Sequence, residues 1–168
     1  GNIYYDQRDF PEALRYYRAA LDSAQQLQLA YAQSVALNNI GLVYREKEMY
    51  ELAAKSFIES EQVRLKNQQF GLSAHSRLYL VGLALRQGEF DKGLLIVGKV
   101  IDTMQRYGMF SELVDAYTSK ARLLASKGQK QAAYEALNEA QFILLQHHMI
   151  NKLEAYYIAS VEVAQLSG

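Results

Sequence analysis

Residues Leu37 to Phe57 read LNNIGLVYREKEMYELAAKSF, and this stretch decides which fold the chain is expected to adopt. Its apolar residues keep the three- and four-residue spacing of a helix on both sides of the polar break REKEM. The alternation of apolar and polar residues that marks a strand is absent. The stretch therefore predicts two helices joined by a turn.

The helix pair belongs to a repeat with a period of 40 residues. Among residues that lie one period apart, those aligned with Ala53 are all small and those aligned with Phe57 are all large. The series are Phe10, Tyr50 and Phe90; Ala13, Ala53, Gly93 and Ala133; Tyr17, Phe57, Val97 and Leu137; Ala20, Ser60, Val100 and Ala140; and Tyr4, Tyr44, Ala84 and Leu124. Such repetition indicates an array of helical units, because one helix pair cannot bury its apolar stripes without a neighbour.

The repeat and the helical spacing together predict an all-α fold, a right-handed superhelical solenoid of antiparallel helix pairs. We expect helices near residues 10–27, 31–47, 50–67, 71–87, 90–107, 111–127, 130–147 and 151–166. They make up one domain, with units at about 1–30, 31–70, 71–110 and 111–150 and a final helix at 151–166. The predicted core contains Ala13, Tyr17, Ala53, Phe57, Ala133 and Leu137.

Local signals support the helix boundaries. Asp9 followed by Glu12 matches a capping box, and Pro11 lies in the first turn, where its missing N–H has no cost. Gly88 and Gly128 stand where a left-handed residue would end a helix.

The third unit departs from the pattern. Its glycine is Gly82, where the strict period places Val81. We therefore expect the first helix of this unit to be shifted by one residue.

The composition excludes several classes of function. The chain has 18 Lys and Arg against 18 Asp and Glu, so no basic field is available to bind nucleic acid. The longest apolar run, LYLVGLAL from Leu78 to Leu85, is far shorter than the roughly 20 residues that span a bilayer. No cysteine is present, which removes disulfides and thiolate catalysis. We expect a cytoplasmic protein without a membrane segment.

No combination of residues indicates catalysis, a cofactor or a metal. His147 and His148 are adjacent and would point about 100° apart on a helix, and His75 is the only other histidine. The carboxylates occur singly, without a neighbouring nucleophile or phosphate-binding loop. The 13 tyrosines could stack on bases or sugars, but several fall in the packing series. We expect a non-enzyme.

The repeated residues resemble those of the tetratricopeptide repeat. Gly41, Tyr44, Tyr50, Ala53 and Phe57 match its motif, and their counterparts one period earlier are Gly1, Tyr4, Phe10, Ala13 and Tyr17. The family period is about 34 residues, so the longer helices here are similar to variants in bacterial signalling proteins, kinesin light chains and polarity scaffolds. The resemblance places Gly1 and Tyr4 inside a first helix, which implies a fragment of a longer protein.

In the family, the first helices of successive units line a concave groove that binds proteins or peptides. The resemblance implies that Asn2 and Asn39 reach into this groove, where an amide can pair with the backbone of an extended ligand. Helical spacing places Asn38, Leu42 and Arg45 on the same side as Asn39. An equally open alternative is that Asn39 only bridges neighbouring helices.

Arginines extend the predicted peptide-binding site. Arg45, with Arg86 at the shifted register and Arg122 in the fourth unit, would favour an acidic partner. The co-chaperone clamp for chaperone C-termini is incomplete, because its basic positions hold Ser76 and Leu80, or His75 and Tyr79 in strict register. We expect a scaffold module in the regulatory part of a signalling protein.

Self-association is the alternative function. The last helix is apolar on several faces, with Leu153, Tyr156, Ile158, Val161, Val163 and Leu166. Terminal repeats normally turn a polar face outward, so this helix predicts a covering element or a homo-oligomer.

Overall fold

A computed structural model describes residues 1–167 of the chain, and the side chains of residues 1–166. Within that range all regular structure is helical. The helices are α1 (Asn2–Asp6), α2 (Phe10–Gln26), α3 (Ala30–Glu46), α4 (Tyr50–Lys66), α5 (Phe70–Arg86), α6 (Phe90–Arg106), α7 (Phe110–Ser126), α8 (Lys130–Gln146) and α9 (Leu153–Ser167). The predicted boundaries from residue 10 to 147 are confirmed to within one residue, whereas a 3-10 turn at Ile150–Lys152 delays the start of α9.

The turns between helices share one backbone geometry. In the turn after α2, the Gln28 N–H donates to the Gln25 carbonyl at 3.1 Å, and the Leu29 N–H donates to the Ala24 carbonyl at 2.9 Å. These bonds satisfy carbonyls at the helix end, and they require one turn residue in the left-handed conformation. That residue recurs every 20 positions, at Arg8, Gln28, Glu48, Gln68, Gly88, Gly108, Gly128 and His148. The prediction for Gly88 and Gly128 is confirmed, with φ of +73° at both.

The start of α2 follows its sequence signal. The Asp9 side chain accepts a hydrogen bond from the Glu12 backbone N–H at 3.3 Å, and Pro11 lies in the first turn. The cap satisfies one of the N–H groups that have no partner within the helix.

Small residues allow the helices to approach each other. A Cβ atom on Gly41 would lie 2.5 Å from the Phe57 ring, so only glycine fits beneath this aromatic side chain. All six residues of the predicted core, from Ala13 to Leu137, are buried. The predicted pairing of small and large residues is therefore confirmed at these positions.

The expected shift in the third unit is wrong. Val81 is completely buried, while Gly82 is half-exposed and a Cβ atom there would meet nothing within 4 Å. The strict period therefore holds, and the residue equivalent to Phe57 in this unit is Val97, whose side chain is smaller. As a consequence, Arg86 is equivalent to Glu46 and not to Arg45.

The chain divides into two compact units within α5. The first runs from Gly1 to Tyr79, and in it α3 packs between α2 and α4. The second begins at Leu80, and in it α7 contacts α6, α8 and α9.

Candidate functional site

Helix α3 has one buried face and one half-exposed face. Its buried residues are Ser34, Ala36, Leu37, Ile40, Gly41 and Val43. On the other side, Asn38, Asn39, Leu42 and Arg45 are partly accessible. The structure therefore brings these four predicted site residues together on one face, which we call the α3 face.

A cleft of about 680 Å³ lies beside the α3 face, between α1, α2 and α3. Asn2 and Asn39 both line it, so the structure also brings these two predicted residues together. The other lining residues are Gly1, Ile3, Tyr16, Tyr17, Ala20, Tyr31, Ala32, Val35 and Ala36. We call this space the α1–α3 cleft, and most of its wall is apolar.

The side-chain amides of Asn2, Asn38 and Asn39 differ in their hydrogen bonding. The Tyr17 hydroxyl donates to Asn2 Oδ1 at 2.8 Å, so this oxygen helps to hold α1 against α2. Burial also raises the pKa of Tyr17, since it disfavours the phenolate. Asn38 Oδ1 is buried and accepts no hydrogen bond from the described residues. No described residue forms a hydrogen bond with the Asn39 side chain, which leaves its amide available at the cleft.

Two of the three predicted arginines, Arg45 and Arg122, pair with acidic residues of the chain. Arg45 Nη2 lies 2.9 Å from Glu46 Oε1, and its Nε donates to the same oxygen at 3.1 Å. Arg122 Nε lies 2.5 Å from Glu162 Oε2 within the second compact unit, an ion pair that lacks hydrogen-bond geometry. Arg86 is exposed at the end of α5, also in the second unit. An acidic ligand would therefore compete with Glu46 and Glu162.

The positions of the co-chaperone clamp hold residues that do not bind a carboxylate in the way the clamp requires. With the register strict, the relevant residues are His75 and Tyr79. The Tyr79 ring stacks on Phe57 with a centroid distance of 5.1 Å. Neither position carries the Lys or Arg that the clamp needs to bind a carboxylate.

One buried arginine, Arg64, is not among the site residues predicted from the sequence. Arg64 donates from Nε to Ser34 Oγ and from Nη1 to Gln69 Oε1, and its guanidinium lies 4.4 Å from the centre of the Tyr31 ring. Burial lowers the pKa of Arg64, and Tyr31 partly offsets this effect. The repeat indicates that position 64 is buried, because Ala24 and Met104, one period away on either side, are buried apolar residues.

Serines continue this polar cluster through the first unit. Ser60 Oγ donates to the Ser34 carbonyl at 2.9 Å and lies 2.8 Å from Ser76 Oγ. These bonds connect α3, α4 and α5. Because all three serines are buried, the bonds are shielded from solvent.

Helix α9 exposes part of its apolar surface. Of the residues named in the sequence, Tyr156 and Val163 are buried and Leu153 is half-buried, whereas Ile158, Val161 and Leu166 are exposed. Tyr157, next to Ile158 in the sequence, is exposed as well. These four exposed side chains form what we call the α9 patch.

Residues 1–167 offer neither a metal site nor a membrane span. They contain no group of three or more His, Cys, Asp or Glu residues placed to hold a metal ion. None of their helices has the length and apolar character needed to cross a bilayer. His147 stacks on Phe110 with a centroid distance of 3.9 Å, so it contributes to packing at the end of α8.

Comparisons with known proteins match this architecture. Two family models described as "Tetratricopeptide repeat" match residues 1–66 and 114–141. Among solved structures, the chain is similar to the one titled "Crystal structure of BtubC (BKLC) from P. vanneervenii", with a TM-score of 0.78 and 17% identity, over 99% of this chain and 72% of that chain. No curated protein matches the sequence. The structural similarity and the family models confirm the predicted all-α fold class of repeated helix pairs.

Proposed function

Because the chain belongs to the tetratricopeptide-repeat family, we propose that it is a protein- or peptide-binding scaffold module in the regulatory part of a signalling protein. Repeats of this family mediate protein–protein interaction and are not catalytic. The observation that carries the proposal is the accessible α3 face, where the Asn39 amide has no hydrogen-bond partner among the described residues.

The Asn39 amide suits an extended ligand. It has two N–H donors and a carbonyl acceptor, so it can pair with a backbone C=O and N–H whatever the ligand side chains are. Leu42 offers apolar contact one turn further along the same face. General affinity would therefore come from Asn39 and Leu42.

A preference for acidic ligands would come from the arginines. Arg45 directs two nitrogens at a single oxygen of Glu46, and a guanidinium has five N–H donors, so donors remain for a ligand carboxylate. Arg122 would contribute in the second compact unit in the same way. Competition from Glu46 and Glu162 keeps this contribution modest.

An array of short neutral and acidic peptides tests this function, with Arg45→Ala, Arg122→Ala and the control Arg106→Ala compared by titration on the binders. Arg106 is exposed at the end of α6. We expect Arg45→Ala and Arg122→Ala to weaken acidic peptides by about 3- to 10-fold at low salt and less at high salt. Equal losses for neutral and acidic peptides would refute the acidic preference, and an array without binders would refute the function.

The alternative is self-association through α9. It is favoured by the α9 patch, since contiguous exposed apolar side chains mark interaction surfaces in soluble proteins. In this case the partner of the module is a second copy of the chain.

A further inference from the structure

A second cleft, of about 550 Å³, is lined by residues of α6, α7 and α8 in the second compact unit. We call it the α6–α8 cleft. Its three helices are preceded by α5 and followed by α9. The side chains of these three helices therefore decide how open the cleft is.

Two periods earlier in the repeat, larger side chains stand at equivalent positions. Tyr44 is the counterpart of Leu124, which lines the cleft, and the Tyr44 hydroxyl accepts a hydrogen bond from Arg18 Nη2 at 2.9 Å. The counterpart of Arg18 is Gly98 on α6, where a Cβ atom would meet nothing within 4 Å. The cleft is open because Gly98 and Leu124 replace a pair that bridges two helices.

Helix α7 contributes hydrogen-bond donors to the cleft. Tyr117 is only 8% exposed, and its hydroxyl oxygen accepts from the Gln105 side chain at 3.2 Å, whereas no described residue accepts its proton. Burial and the charge of Glu139 raise the pKa of Tyr117, so the hydroxyl keeps this proton. Lys120 stands where the buried Ile40 stands two periods earlier, and it forms no ion pair within the described part of the chain. Both donors can serve the carbonyl groups of a ligand.

Helix α8 contributes carboxylates to the cleft. Glu135 and Glu139 both line it, and both are exposed. They are the only charged residues between Gln131 and Gln146. Lys120 opposes their two negative charges with one positive charge, so the cleft favours a cationic group of a ligand.

Exposed apolar side chains continue the same side of α8. Phe142 is 63% exposed and Leu145 is 66% exposed, and residues three apart are neighbours on a helix. The equivalent residues on α6 are Asp102 and Gln105, which are polar and are exposed although a further helix pair follows them. The exposure of Phe142 and Leu145 is therefore a property of their place in the repeat and does not depend on a following unit.

We propose that the α6–α8 cleft, together with Phe142 and Leu145, is a docking site for an extended segment of a partner protein that carries basic and large apolar side chains. Charge complementarity pairs the basic side chains with Glu135 and Glu139, and the apolar side chains cover Phe142 and Leu145. An extended segment fits better than a helix, because the carbonyls of a helix are bonded internally and cannot accept from Tyr117. The side of α8 from Glu135 to Leu145 is about 15 Å long, which about five extended residues span.

The inference goes beyond the ligand of the α3 face, and the two can fail separately. The ligand of the α3 face is neutral or acidic, whereas the ligand of the α6–α8 cleft is basic. Asn39 and Arg45 belong to the first compact unit and do not line this cleft. Asn39→Ala and Arg45→Ala therefore leave binding at the α6–α8 cleft unchanged.

The probes are fluorescent peptides of about eight residues in which two lysines stand beside two leucines, made in both orders. Their affinity for the chain is measured by fluorescence anisotropy. Comparison peptides carry glutamates in place of the lysines, or serines in place of the leucines. We expect saturable binding of a Lys–Leu peptide in at least one order, and binding of both comparison peptides weaker by about tenfold or more.

Two variants of α8 have matched controls. Leu145→Ser should weaken the Lys–Leu peptide by about tenfold, whereas Leu95→Ser should not, since Leu95 is 65% exposed but lies on α6 and does not line the cleft. Glu139→Lys should weaken the peptide by about tenfold at low salt and less at high salt. Its control Glu51→Lys changes an exposed glutamate on α4 and should bind as the wild type does.

Three results would overturn the proposal: no saturable binding, equal binding of the lysine and glutamate peptides, or equal loss in a variant and its control. A dimer that excludes the peptide and is dissolved by Leu145→Ser would show that a second copy of the chain occupies the site. That result would also overturn the proposal.

Discussion

Single side chains set how closely the helices of this protein approach. Ala13, Ala53 and Ala133 are completely buried at equivalent positions, each four residues before a large buried side chain. The sequence alone could place them, because a small residue that recurs at a fixed period among large ones indicates a helix contact. The same period indicates that position 64 is buried, since Ala24 and Met104 are buried, but the bonds of Arg64 to Ser34 and Gln69 could not be read from the repeat.

We expect Ala53→Leu to destabilise the protein by about 1–3 kcal/mol, because the added carbons have no space at a completely buried position. The free energy of unfolding is measured by urea titration. Ala19→Leu is the control, since Ala19 is exposed and leucine suits a helix. A wild-type unfolding midpoint for Ala53→Leu would contradict the assigned core.

At the scale of the helix and its turn, one unit of structure recurs every 20 residues. Each helix from α2 to α8 has 17 residues, and three further residues form the turn. The sequence revealed the left-handed residues Gly88 and Gly128 but not Gln28 or Glu48, because the hydrogen bonds of the helix end impose the left-handed conformation on these larger residues. The shift in the third unit was wrongly predicted because Gly82 is a glycine like Gly41, although it is not at the equivalent position.

We expect Gly128→Ala to lower the free energy of unfolding by about 1 kcal/mol. Gly128 has φ of +73°, and nothing lies within 4 Å of an added Cβ atom, so the cost is purely conformational. Gly98→Ala is the control with the opposite sign, because Gly98 lies inside α6 with equally open surroundings and should gain about 0.5–1 kcal/mol. Urea unfolding that shows the same sign for both variants would contradict this account of the turns.

At the scale of the whole molecule, the accessible features concern association. The α1–α3 cleft and the α3 face lie in the first compact unit, and the α9 patch lies in the second. The apolar character of α9 was evident in the sequence, but which of its faces stays open depends on packing against α7 and α8. For the same reason, the pairing of Arg45 with Glu46 required the structure.

If the α9 patch associates, the mass measured by light scattering rises with protein concentration. Ile158→Glu should then abolish the rise, because it places a charge in the contact. Phe142→Glu should not, since Phe142 is equally an exposed apolar residue but lies on α8 outside the patch. A constant monomer mass at high concentration would contradict self-association.

Calorimetric titration of Asn39→Ala with a peptide selected on the array tests the central claim, binding through the α3 face, most directly. Asn138→Ala is the control, because Asn138 is exposed on α8, a helix that contributes no residue to this face. We predict that Asn39→Ala weakens neutral and acidic peptides alike by about 1–3 kcal/mol, since a ligand backbone group loses its partner, while Asn138→Ala binds as the wild type does. Wild-type affinity of Asn39→Ala, or an equal loss in Asn138→Ala, would contradict binding through the α3 face.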